Sequence, residues 1–467
     1  MFLTHRWMGV ALSLLMLMWT LSGVVMMYVS FPQTTNEERL AGLEPLDLNS
    51  CCAAVRLPPE PLEGAAVEMM AGRPVLRWRG ADGDGLVDLR SGAPARVGPA
   101  EARRIAEAYM VGHFQWVPAM ALAPGGLDQW TVYGQFRAYA PLYKASFADA
   151  RGTVLYVSAR NGEVVQDTSA PERFWNWLGA VPHWLYFTAL RQNGALWSNV
   201  VIYASLLGAF LTVTGLYVGI VMYGRARRKS PFRGIALWHH WTGLVFGIAT
   251  LTWVFSGFAS MTPWHWLESA GPRSEVAALR GRALAASDVE AMTGALAAHR
   301  SPGAVSAEVA LQGGRVYAIV AHADGSRERV SLPALAPAAP SDGELASLAV
   351  RARPHAAVAS QGLITAGDAY HYSHHSTPAI LPAWRVIFAD RQHTRLYFDP
   401  RTGELIDYVD RDSRAFRWWH LGLHRLDFAG LSARPLWDVV MLILLTGVAL
   451  VCGIGAWMGG RRLLRSF

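Results

Sequence analysis

Charge is scarce in this chain: Asp, Glu, Lys and Arg make up 16% of its 467 residues, thin cover for a soluble protein of that length. Cysteine is scarcer still, with three residues, of which Cys51 and Cys52 are adjacent and Cys452 lies in an apolar run. A disulfide framework and a spaced zinc pattern are therefore excluded, and the adjacent pair reads as two tolerated surface thiols, with a soft-metal site as the alternative. No Rossmann-type glycine fingerprint is present, so the chain brings no dinucleotide domain of its own. Nothing points to nucleic acid either, because the basic residues crowd the ends of apolar runs, where lipid head groups account for them.

Apolar residues fill the gap: 52% of the chain is hydrophobic, with 19 Trp, a composition that suits an integral membrane protein. Four segments reach spanning length, at about 7–29, 198–223, 237–261 and 436–458. The first is too long for a signal-peptide core and has no small-x-small site before Phe31-Pro32, so it reads as an uncleaved span. Arg225, Arg227, Arg228, Lys229 and Arg233 crowd the loop between the second and third spans, and Arg461, Arg462 and Arg465 follow the fourth. By the positive-inside rule both places are cytoplasmic. The expected layout is a multi-pass protein of a bacterial inner membrane, both termini inside. The intervals 31–174 and 263–414 form two periplasmic domains, 175–197 and 415–435 interfacial segments, 224–236 a basic loop and 459–467 a tail.

The chain is a tandem repeat. His5-Arg6-Trp7-Met8-Gly9, with Trp19 and Ser22-Gly23 beyond, recurs without a gap as His239-His240-Trp241-Thr242-Gly243, Trp253 and Ser256-Gly257. At about 100° per residue the first Gly, the second Trp and the last Gly fall within about 40° of the His. Each copy is thus a helix with a His–Gly–Trp–Gly stripe. A ligand-type residue beside a Gly that leaves room for a flat group points to a bound cofactor; the plainer alternative is an interfacial His on a small-residue packing seam. Further on, Leu155-Tyr156, Arg160-Asn161-Gly162-Glu163, Trp177 and His183 match Leu396-Tyr397, Arg401-Thr402-Gly403-Glu404, Trp418 and His424, again without a gap. The same offset pairs Lys144 with Arg385.

Between the spans each half reads as α+β. A helix from about Gly98 to His113 precedes strands at 129–139, 142–148 and 153–158, the last closing on an Asn161-Gly162 turn. In the second half a helix starts at Ser287-Asp288, strands fit 315–321 and 327–332, a Pro/Ala-rich linker spans 332–340, a helix covers about 343–351, and strands fit 384–389 and 395–398. The expected fold is a membrane α-helical protein of four transmembrane helices in a pseudo-two-fold tandem repeat, with two α+β periplasmic domains.

The paired LYxxxRxGE hairpins, the His-x-Trp-x-Gly spans and the His ahead of each returning span resemble the PepSY-associated transmembrane family over almost the whole chain. That resemblance implies PepSY-like periplasmic domains and a di-haem inner-membrane protein of the kind that reduces ferric siderophores. The longer first external segment, with Cys51-Cys52, departs from the family pattern.

Geometry narrows what the histidines do. A tandem repeat of paired spans sets its halves parallel about an axis along the membrane normal, so equivalent residues share a depth. His5 and His239 then lie at the cytoplasmic level and His183 and His424 at the outer level, about 30 Å apart, beyond the reach of one metal. Two bis-His sites follow, and bis-imidazole ligation suits haem b, non-covalent here because no Cys-x-x-Cys-His run exists. The repeat register favours His239 over His240, which corresponds to Arg6; Arg6 and His240 are candidates for a haem propionate or lipid phosphate. His420 is an alternative to His424. Trp19 and Trp253 lie between the levels, as packing or as a shortened electron path.

A cluster without a counterpart, Tyr370-His371-Tyr372-Ser373-His374-His375, is a candidate acceptor site if strand-like, as are the cations Lys144 and Arg385; a solvated strand and a covered sheet edge are the plain alternatives. The expected function is electron transfer from a separate cytoplasmic or quinol donor to a periplasmic acceptor. The resemblance makes that acceptor a ferric siderophore or other ferric chelate, and the protein a ferric-chelate reductase. The alternatives are a conduit to another periplasmic oxidoreductase, or an anchored PepSY module that binds or regulates peptidases without redox chemistry.

Overall fold

The computed structural model describes all residues except 50, 53, 82, 114–117, 300, 375, 376, 466 and 467. It contains four long apolar helices and three antiparallel sheets. Two compact units divide the chain: one holds Met1–Phe31, Glu172–Ser269 and Arg411–Phe467, the other Pro32–Pro171 and Ala270–Asp410.

The helical unit is built on Phe2–Met26, Gly194–Arg225, Ile235–Ser260 and Leu436–Leu463, each long and apolar enough to cross a membrane. The first packs on the second and fourth, and the third does likewise, so the first and third stand on a diagonal of the bundle. Leu14, Leu21, Phe210, Ile220, Ile248 and Ile443 are exposed, whereas Ser13, Thr20, Thr212 and Thr250 are buried. Apolar side chains outside and small polar ones inside is the arrangement lipid favours. The buried hydroxyls return their protons to their own helices: Thr20 donates to the Met16 carbonyl at 2.8 Å, Thr212 to Gly208 at 2.8 Å and Thr250 to Phe246 at 3.0 Å.

In the second unit the strands are β1 (Leu62–Met70), β2 (Arg73–Gly80), β3 (Gly83–Asp88), β4 (Ala119–Gly125), β5 (Leu142–Phe147), β6 (Val154–Ser158), β7 (Val164–Thr168), β8 (Ala304–Gln312), β9 (Arg315–His322), β10 (Arg327–Ser331), β11 (Val358–Ile364), β12 (Ala383–Phe388), β13 (Arg395–Phe398) and β14 (Leu405–Val409). Two four-stranded sheets, β4-β5-β6-β7 and β11-β12-β13-β14, repeat one pattern. The third sheet has the order β10-β9-β8-β1-β2-β3 and joins the two halves of the chain. Its seam is the antiparallel β1–β8 pair, in which Ala66 faces Glu308, each the central residue of a nine-residue strand. The seam thus lies on the local two-fold of the repeat. The intervals expected as two domains therefore share one core, in which Leu62, Val67 and Leu76 meet Leu284, Met292 and Val320.

A buried charge cluster holds the seam. Glu68 meets Arg39 at 2.7 Å, a short bond from Arg77, and the Ser306 hydroxyl at 3.2 Å. Burial alone would raise its carboxyl, but the Arg77 and Arg39 guanidiniums hold it below the usual range.

Two expectations are corrected. Residues 129–139 are not a strand: Gly134–Ala138 is a 3₁₀ turn, and the strand is Ala119–Gly125. Cys51 and Cys52 are not free thiols but a disulfide, packed against the core of the six-stranded sheet.

Candidate functional site

The four histidines of the repeat meet in two pairs within the helical unit. His5 and His239, on the diagonal first and third helices, have ring centroids 6.2 Å apart. His183 and His424, from the segments ahead of the second and fourth helices, stand 6.0 Å apart. His5 and Ser22 are seventeen residues apart on one helix, so the two levels are separated by about 25 Å at 1.5 Å per residue.

Glycines give each ring its room. A Cβ on Gly215 would stand 2.6 Å from His5, one on Gly455 3.4 Å from His239, and one on Gly23 3.4 Å from His183. The equivalent atom on Gly257 would reach His424 at 3.9 Å, and a Cβ on Gly243 would meet nothing within 4 Å. The far end of the sequence stripe therefore seats an imidazole from another element. Ser22 lies 3.1 Å from Nδ1 of His183 and Ser256 2.9 Å from Nδ1 of His424.

Among the described residues, no hydrogen bond engages Nε2 of His5, His183, His239 or His424. Other histidines differ. His240 is satisfied at both nitrogens, by Ser230 Oγ and the Gly219 carbonyl, each at 2.9 Å. Thus His239, rather than His240, is the ring that meets His5.

His420 sits 5.3 Å from His424, with Nδ1 3.1 Å from the Ser256 carbonyl. The backbone there is a π-helix, Arg417–Gly422, a form that recurs at functional sites and that the described residues of the first half lack. Arg6 lies over the Phe2 ring at 4.8 Å. Trp19 and Trp253 share an apolar cluster with Phe246 and Met16; the Trp253 indole donates to the His424 carbonyl at 2.9 Å, whereas the buried Trp19 indole N–H has no partner. Among the described residues no three His, Cys, Asp or Glu side chains converge as a metal site.

In the other unit the strand-like cluster does not form: residues 370–374 lie in bends and loop, and His375 lies outside the described residues. His371 is buried and committed, with Nδ1 3.3 Å from Asp407 and Nε2 3.0 Å from the Ile380 carbonyl. The bond to Asp407 raises its pKa above the ordinary value. Tyr370 lies beneath the Arg395 guanidinium at 4.5 Å, and Tyr372 and His374 contact edge-on at 4.6 Å.

Lys144 and Arg385 take part in a repeated constellation that sequence reading missed. Each is the cross-strand neighbour of a tyrosine, Tyr156 or Tyr397. Asp128 binds Lys144 at 2.9 Å and accepts from Tyr156 at 2.8 Å; Asp368 binds Arg385 and accepts from Tyr397, each at 2.8 Å. The aspartates precede their partners by similar intervals, which was the available signal.

No protein-family model matches the chain, and no curated protein matches it.

Proposed function

We propose that this protein is an inner-membrane electron carrier that holds two haem b groups, one between His5 and His239 and one between His183 and His424. It takes electrons from a separate cytoplasmic or quinol donor and reduces a periplasmic ferric chelate such as a siderophore. The carrying observation is the meeting of the four repeat histidines in two imidazole pairs, with Nε2 of each ring unbonded. Two imidazoles on opposite sides of one metal, with bonds of about 2.0 Å, have centroids about 6 Å apart, the separation found at both levels.

The surroundings fit such a group. Glycine faces every ring, and open space adjoins Gly243. Bound haem b supplies a one-electron Fe(III)/Fe(II) couple. The chain would supply the rest: the imidazoles of His5, His239, His183 and His424 to hold the group, an apolar bundle that excludes water, and indoles between the two levels. The basic loop and tail support a cytoplasmic His5 level, and exposed Trp175, Trp177, Trp418 and Trp419 near the other level suit the opposite interface. The sequence resemblance to the PepSY-associated transmembrane family supports the same reading and supplies the choice of acceptor, since Fe(II) is held weakly by hard oxygen ligands.

Mixing the anaerobically reduced protein with a ferric hydroxamate chelate and a ferrous-specific chromophore tests the activity. Reoxidation of the protein together with stoichiometric ferrous capture is expected. A reduced protein that stays reduced would remove the ferric chelate as acceptor.

A further inference from the structure

The His183/His424 pair differs from the His5/His239 pair in what holds the second ring nitrogen. Ser22 donates its hydroxyl proton to the Met18 carbonyl at 2.7 Å, and Ser256 donates to the Trp253 carbonyl at 3.0 Å. With that proton committed, each Oγ is an acceptor toward the histidine, and Nδ1 of His183 and of His424 must carry the ring proton. The Trp19 carbonyl, 3.0 Å from Nδ1 of His183, demands the same tautomer because it can only accept. Support is thinner at the other level. His5 Nδ1 reaches the Leu211 carbonyl at 3.2 Å. His239 Nδ1 is buried and makes no hydrogen bond.

We propose that Ser22 and Ser256 are positioning residues for the outer site. They hold His183 and His424 as Nδ1–H tautomers with Nε2 free for iron, and they lower the reduction potential of the haem bound there without affecting the inner one. The inference rests on the electron-transfer reading above. A donated Nδ1–H bond raises the basicity of the ligating nitrogen and so favours oxidised iron. Arg425, the residue after His424, acts in the opposite sense as a nearby cation, and the serines offset it. A hard ferric chelate requires a strongly reducing donor, and a membrane potential positive outside favours outward electron movement. Each serine is followed by the glycine that makes room for the ring, so Ser22-Gly23 and Ser256-Gly257 act as two-residue seats for an imidazole from elsewhere in the chain.

The test is a potentiometric titration of the full-length, haem-loaded protein, followed optically, for wild type, Ser22→Ala/Ser256→Ala and Ser22→Thr/Ser256→Thr. The His424→Ala chain identifies the outer component by its loss. In the alanine variant the outer component is expected to shift to a more positive potential, or to be lost alone, while the inner component is unchanged. The threonine variant, which retains the hydroxyls, should behave as wild type. An unmoved outer component, an equal shift of both, loss of both, or a threonine variant that matches alanine would overturn the proposal. A colourless wild-type chain would instead overturn the haem reading before any serine is changed, so the two failures are separable.

Discussion

Ser256 Oγ and His424 Nδ1 lie 2.9 Å apart across 168 residues of chain, and Ser22 stands in the same relation to His183 at 3.1 Å. The relation explains the end of the repeated sequence stripe. Its Ser-Gly step serves the histidine of the following segment, while its opening His serves the other level. Each opening helix therefore contributes to both pairs, one ring at one end and one seat at the other.

Gly215 measures how tightly the His5 ring is seated. A methyl group there would stand 2.6 Å from Cε1 of His5, so either the ring or the helix must move. Gly215→Ala is expected to cost about 1–3 kcal/mol and to remove the chromophore of the His5/His239 level. Gly257→Ala, whose methyl meets His424 at an ordinary 3.9 Å, should keep both. Thermal unfolding and haem stoichiometry of the two variants check this; equal behaviour would contradict it.

Glu68 is the anionic centre of the seam between the halves. Glu68→Ala leaves Arg39 and Arg77 facing each other without their carboxylate, and breaking a buried ion pair costs roughly 3–5 kcal/mol. Thermal unfolding should show the sheet-rich unit markedly destabilised, with Glu68→Gln intermediate because it keeps hydrogen bonds but no charge. A change in unfolding temperature no larger than for an exposed control such as Glu60→Ala would refute the role of the cluster.

His371 carries a pH dependence whose sign follows from its environment. The bond to Asp407 raises its pKa above 6.5, and Asp368 and Tyr397 also face it. A group whose pKa is raised on folding stabilises fully below its unfolded value, and that stabilisation disappears as pH climbs through the folded value. His371→Gln should therefore lower the unfolding temperature more at pH 5.5 than at pH 8.5. An equal loss at both values would assign the residue to packing alone.

The four long apolar helices were legible because length and apolarity decide them, and the LYxxxRxGE hairpins because alternation and an Asn-Gly or Thr-Gly turn mark them. Other elements depend on distant partners. β1 reads Leu-Glu-Gly-Ala-Ala-Val-Glu-Met-Met, without alternation, and its Glu68 is tolerated inside only through Arg39 and Arg77. Residues 129–139 look strand-like from Trp130, Val132 and Phe136, but these side chains are buried around the loop that presents Asp128 to Lys144 and Tyr156. At the candidate site the equal spacing of the repeat revealed which histidines are equivalent. Which nitrogen each offers depends on Ser22 and Ser256, and hydrogen bonds over such separations leave no local pattern. His371 looked available for the same reason, until Asp407 and Ile380 took both of its nitrogens.

The proposed binding of one haem at each of the two bis-histidine sites is tested most directly by the optical spectrum and pyridine-haemochrome count of the detergent-purified chain from cells supplied with haem, for wild type, His5→Ala and His424→Ala. Two b haems per wild-type chain and about one in each variant are expected, with the two remaining spectra distinct. A colourless wild type, or variants that keep both haems, would contradict it.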